Sequence, residues 1–137
     1  MSIADALKAV GIGKLKIVEG GIYRLKDSLI RFPESDETEN RTKHDFRTVL
    51  VLSNQKLIDS YTCPCVVVAP MSHLTHFKSL ADIVIPKTSA NKLAEDSRIM
   101  FGYIQPVLKS DLQKQIGVLS DDEWQVVMEA IVSCFDH

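Results

Sequence analysis

Two short stretches combine chemically capable residue types with positions at the ends of apolar runs. His44-Asp45-Phe46-Arg47 opens the run Phe46-Arg-Thr-Val-Leu-Val-Leu-Ser53, and Met71-Ser72-His73 follows Cys65-Val-Val-Val-Ala-Pro70. An arginine at the head of an apolar strand has to snorkel to water or meet an anion, and a hydroxyl at the end of a neighbouring strand lies within its reach. Arg47 and Ser72 therefore suit an anionic group. On spacing alone the plainer reading, a surface salt bridge at Arg47 and a turn capped by Ser72, is the stronger.

Other chemistry finds less support. There is no P-loop, dinucleotide glycine fingerprint, HExxH or GxSxG elbow in the chain, which removes the best arguments for nucleotide hydrolysis and Rossmann redox chemistry. The one-residue spacing of Cys63-Pro-Cys65, even with His73 and His76 following, is not read as a zinc site. Cys65 and Cys134 are expected to be buried, inert thiols.

Several elements must position these residues. The spacing of Ile3, Leu7 and Val10 after Ser2, with Gly11 to end it, predicts a short N-terminal helix. Gly21 to Leu25 reads as a strand after the Gly20-Gly21 pair, and the polar stretch from Lys26 to Asp45 as an exposed loop. Phe46 to Ser53 and Cys65 to Pro70 read as buried strands, with further strands at Ile83 to Pro86 and Ser97 to Val107, about five in all. Ser110 to Gln115 is expected as a short helix closed by Gly117. A longer helix starts at the capping box Ser120-Asp-Asp-Glu123, and its stripe Trp124, Val127, Met128, Ile131 and Phe135 belongs to packing. The fold class is mainly β with a C-terminal helix (α+β), as a small barrel or curled sheet.

The 137 residues are 45% hydrophobic and 25% charged, which suits one domain able to bury a core. Three cysteines supply no disulfide framework, no run is long enough for a membrane helix, and the first residues lack a secretory apolar region. The expected location is cytoplasmic. A net charge of -2 excludes a globally basic nucleic-acid-binding protein, though not a local basic site. Six acidic residues lie in 110–137 against Lys114 alone, so the rest of the chain carries a basic surplus.

The ordered set Gly21-Ile-Tyr23, a polar loop, Arg47-Thr-Val-Leu-Val-Leu-Ser-Asn54, Val66-Val-Val-Ala-Pro-Met-Ser72, Ser97-Arg-Ile-Met, Asp111-Leu112 and Ile116-Gly-Val-Leu119 resembles the PemK/MazF toxin family. The resemblance covers nearly everything from Gly20 onward. It implies an SH3-like small barrel over residues 19–137, preceded by a helical extension over 1–18. It also implies a homodimer acting as a metal-independent, sequence-specific endoribonuclease of a toxin–antitoxin module. The family's arginine at the head of the R-P-V-x-V strand is matched by Arg47, and its Thr or Ser ending the next strand by Ser72. Thr48 departs from the usual proline, and the loop before Arg47 is longer than is typical.

The resemblance also makes physical sense of the site. RNA is cut without metal when its 2′-hydroxyl attacks the adjacent phosphorus, and Arg47 and Ser72 are suited to the charge that builds on the phosphoryl oxygens. His44, ahead of His73, is the candidate for moving protons. Arg41, Lys43 and His73 are expected to contact the RNA, and Tyr23 or Phe46 to stack on unpaired bases. No metal or other cofactor is called for. The expected partners are single-stranded RNA, a cognate antitoxin and a second copy of the chain, with no membrane. The rival from another class is a non-catalytic module of the same barrel type that docks a protein target such as a topoisomerase.

Overall fold

Valine-rich stretches flanked by turn residues form the middle of a curled sheet. The computed structural model describes Ile3 and residues 15–38, 44–77 and 79–135; the expected helix around Leu7 and Val10, and both Arg41 and Lys43, lie outside the described residues. The strands are β1 (Gly21–Lys26), β2 (Phe46–Val51), β3 (Cys65–Ser72), β4 (Asp82–Ile85), β5 (Ser97–Met100), β6 (Gln105–Leu108) and β7 (Lys114–Val118). Helices α1 (Pro33–Thr38), α2 (Gln55–Ile58) and α3 (Asp121–Phe135) interrupt and follow them.

All strand pairings are antiparallel, in the order β4-β5-β3-β2-β1-β7. β3 is long enough to change partner along its length: Cys65 to Val68 pair with β6, whereas Met71 and Ser72 pair with β5. The result is a mostly β half-barrel with a C-terminal helix.

Both faces of the sheet are covered, so neighbouring residues of one strand enter different cores. Tyr23, Val49, Val51 and Val68 pack with Ile30, Phe32 and Val66 on one side. On the other, Ile22, Leu50, Ala69 and Ile99 pack with Val127, against which Trp124, Met128 and Ile131 lie half-buried. Two buried faces explain why these strands read as continuous apolar runs and not as alternating ones. The capping box of α3 forms as expected: Glu123 N–H donates to Ser120 Oγ at 3.1 Å, and Ser120 N–H to Glu123 Oε1 at 2.9 Å. Phe135 leaves the expected stripe and is exposed.

Four expectations are corrected. The sheet has seven strands, because 97–107 is divided: a 3-10 turn at Phe101–Tyr103 separates β5 from β6, which pair with different parts of β3. The short helix expected over 110–115 is a 3-10 turn at Lys109–Asp111 followed by β7. Gly117 lies inside β7, where a Cβ would stand 1.9 Å from the carbonyl oxygen of Asn91. That close approach, not a helix end, is what requires glycine. The stretch after Lys26 is not simply an exposed loop, since Asp27, Ile30 and Phe32 are buried and α1 follows. Finally, Cys134 is exposed and Cys65 only half-buried.

Candidate active site

Arg47 is the second residue of β2 and pairs with Leu25, next to the end of β1. The chain leaves β1 through a 3-10 turn, Asp27–Leu29, and brings the fully buried Asp27 carboxylate to the arginine. Asp27 Oδ1 accepts from Arg47 Nε at 2.7 Å, and Oδ2 accepts from the backbone N–H of His44 at 2.9 Å. Arg47 Nη1 donates to the carbonyl of Met71 at 3.1 Å, and the guanidinium lies 4.9 Å from the Phe32 ring centroid. The arginine is thereby tied to the residue that precedes Ser72.

Ser72 ends β3 and pairs with Arg98 of β5. Its Oγ accepts the N–H of Leu74 at 3.1 Å. The turn-capping role and a chemical role are compatible, because a hydroxyl that accepts one hydrogen bond keeps its own proton to donate. Arg98 sits beside it with Nη1 3.5 Å from Asp82 Oδ2. The mixed pattern of residues 97–107 marked a half-buried strand, but nothing in it marked Arg98 as a neighbour of Ser72. That depends on the β3–β5 register.

Two clefts of about 690 and 580 Å³ meet at this point and share His44, Arg47, Ser72 and Leu74 as lining residues. The first continues past Arg98 and Asp82 to Phe32, Glu34 and Tyr103. The second continues past Phe46, His73 and Leu93 to Ile116. The segment around Phe32 is fastened across the first cleft. Phe32 meets Tyr103 edge-on at 4.8 Å, Gln105 and Arg31 exchange hydrogen bonds at 2.9 and 3.1 Å, and the Tyr103 hydroxyl donates to Glu34. That bond to a carboxylate, reinforced by burial and nearby acidic charge against the opposing effect of Arg98, holds the Tyr103 hydroxyl above its ordinary pKa.

The structure thus brings Arg47, Ser72 and His44 to one wall, and His73 to the second cleft only. Phe46 is 42% exposed with the Arg24 guanidinium 4.3 Å over its ring, so one aromatic face remains a candidate for stacking. Tyr23 does not: it is fully buried, its hydroxyl donates to the Lys16 carbonyl and accepts from Val18 N–H, both at 2.9 Å. A base cannot reach that ring, so the expected stacking role of Tyr23 does not hold. Asp27 was missed because it lies among polar loop residues and its burial is purely tertiary. Among the described residues no group of three or more His, Cys, Asp or Glu could hold a metal ion, and no helix is long and apolar enough to cross a membrane.

Residues 29–135 match the family model described as PemK-like, MazF-like toxin of type II toxin-antitoxin system. Comparison with curated protein sequences returns no match. Among solved structures, the Mycobacterium tuberculosis toxin MazF-mt6 is similar at 21% identity and a TM-score of 0.62, over 85% of this chain and 96% of that one. A chain described as a Mtb toxin is 25% identical with a TM-score of 0.56, over 65% of this chain and 92% of its own. An endoribonuclease from Mycobacterial species, solved with its cognate antitoxin, is 14% identical with a TM-score of 0.62, over 86% and 93% of the two chains.

Proposed function

The chain belongs to the PemK-like, MazF-like toxin family of type II toxin–antitoxin systems, and from that premise we propose that it is an endoribonuclease that cuts single-stranded RNA without a metal ion. The observation that carries this reading is the shared wall of the two clefts, where Arg47 and Ser72 are linked through the Met71 carbonyl. A strand of RNA passing from one cleft to the other presents a phosphate to that wall.

The 2′-oxygen of the preceding sugar attacks phosphorus, the bond to the 5′-oxygen breaks, and the products are a 2′,3′-cyclic phosphate and a 5′-hydroxyl. Charge accumulates on the non-bridging oxygens, where the Arg47 fork and the Ser72 hydroxyl donate hydrogen bonds. His44, exposed at the same wall, accepts the 2′-proton, and the departing 5′-oxygen takes a proton from water. Arg98 adds positive charge beside Ser72. Phe46 offers a stacking surface in the second cleft, His73 a further RNA contact there, and Arg41 and Lys43 further phosphate contacts. Differences between the two clefts, one bounded by Glu34, Asp82 and Tyr103 and the other by Phe46 and Leu93, provide a basis for sequence preference.

Control by a cognate antitoxin is part of the reading. It is supported by the family and by the similar endoribonuclease solved with its antitoxin. A homodimer is supported by Val132 and Phe135, apolar and exposed on α3. Sedimentation at micromolar concentration should give twice the chain mass; a strict monomer would count against the dimer. The deciding experiment for the activity uses an RNA oligonucleotide with a single 2′-deoxy sugar at the cut site. It should resist cleavage while the all-ribose strand is cut in EDTA, and cutting of the deoxy strand would sink the mechanism.

A further inference from the structure

We propose that Asp27 is the positioning residue of this site, one carboxylate that aligns the Arg47 guanidinium and the His44 backbone together. The proposal rests on the endoribonuclease reading of Arg47. A fully buried carboxylate is costly unless its oxygens are hydrogen-bonded, and here both are: Oδ1 takes Arg47 Nε and Oδ2 takes His44 N–H. The choice of Nε matters. With Nε held by Asp27 and Nη1 by the Met71 carbonyl, rotation about the end of the side chain is blocked. No hydrogen-bond partner is shown for Nη2 among the described residues. The fork therefore keeps donors for an oxyanion in a fixed plane, with its position referenced through Met71 to Ser72 on the next strand.

The second tie does the same for the proton-handling candidate. His44 precedes β2 by two residues, where its backbone belongs to no strand pairing. Its N–H bond to Asp27 anchors the backbone from which the imidazole enters the shared wall. Asp27 lines neither cleft and acts on the site through Arg47 and His44. Its negative charge also offsets part of the positive charge of Arg47, so it works against ground-state phosphate binding while favouring alignment. That opposition gives a signature which general structural damage lacks.

Asp27→Asn keeps the shape but replaces one acceptor by an amide that cannot accept from its present donor. Single-turnover cleavage should slow about 100-fold, the size expected for misalignment of roughly 1 Å, while KM for RNA stays the same or falls. Asp27→Ser should show the same split. On the Arg47→Lys background, Asp27→Asn should cause a much smaller further loss, confined to the His44 tie, because lysine has no Nε to align; an equal 100-fold loss there would overturn the proposal, as would wild-type cleavage by both single variants. One measurement needs no variant at Asp27. The Arg47 Nε–H NMR signal, assigned by its loss in Arg47→Lys, should exchange slowly with water, and exchange as fast as in exposed arginines would overturn the proposal even if neither Asp27 variant folds. If the wild-type protein cuts no RNA, the endoribonuclease reading falls, and slow exchange at Arg47 Nε would still support alignment by Asp27.

Discussion

What a single residue contributes at this site depends on which nitrogen or oxygen its side chain presents. Arg47→Lys preserves charge but loses the planar fork, so RNA binding should survive while cleavage falls by roughly two to three orders of magnitude, as when one oxyanion donor is removed. Ser72→Ala should lower the rate less severely, because its hydroxyl supplies one donor where Arg47 supplies several. Paired binding and cleavage assays on one oligonucleotide check both, and Arg47→Lys cutting at the wild-type rate would remove the arginine from the chemistry. Tyr23 gives a prediction of another kind. Burial holds its hydroxyl above its ordinary pKa, with the Val18 N–H opposing. A raised folded-state pKa contributes stability that is fully present below the unfolded value of about 10 and is lost as pH rises through the folded value. Chemical denaturation above pH 10 should therefore show a steeper loss in the wild type than in Tyr23→Phe, which starts less stable because Lys16 and Val18 lose their partner.

At the scale of elements, β7 carries the sharpest test. A methyl group at Gly117 would stand 1.9 Å from the Asn91 carbonyl oxygen, and that contact is backbone, which cannot swing aside. Gly117→Ala should destabilise the fold by about 1–3 kcal/mol or more, read as a lower midpoint in urea; an unchanged midpoint would show that the Asn91 turn yields easily. The same strand marks the limit of what the amino-acid pattern discloses. β2, β3 and the α3 capping box were legible because each rests on local chemistry: β-branched residues in the strands, and Ser120 with Glu123 at the helix start. β7 reads in the sequence as a closing helix because a glycine after Ile116 looks locally like a helix end, and only its tertiary contact says otherwise. The division of 97–107 was invisible for a similar reason, since a change of pairing partner leaves no mark on side-chain alternation. In the site, Arg47 and Ser72 could be found as polar residues at the ends of apolar strands. Asp27 and Arg98 could not, because strand register and a buried turn bring them in.

On the scale of the whole molecule, charge is divided along the chain, and the acidic residues of 110–137 contrast with the arginines at the clefts. An antitoxin that competes with RNA for those arginines should do so with an acidic segment, and its affinity should weaken as salt rises. Titration across ionic strength checks this, and a complex insensitive to salt and confined to α3 would contradict it.

The connection of β1 to β7 has a consequence in time. Gly21 pairs with Val118 across most of the sequence, whereas β1, β2 and β3 are successive neighbours. Joining distant segments is the slow part of reaching a native structure, because the entropy of a long loop is lost before its contacts form. Asp27, Arg47 and Ser72 all lie within the β1–β2–β3 meander, which can assemble from near neighbours. Closure of the edge against β7, with Leu119 N–H donating to the Gly20 carbonyl at 3.0 Å, is then expected late. The arginine clamp is thus expected to form early in the folding reaction, and a strand on the other edge of β1 to limit the rate at which working molecules accumulate.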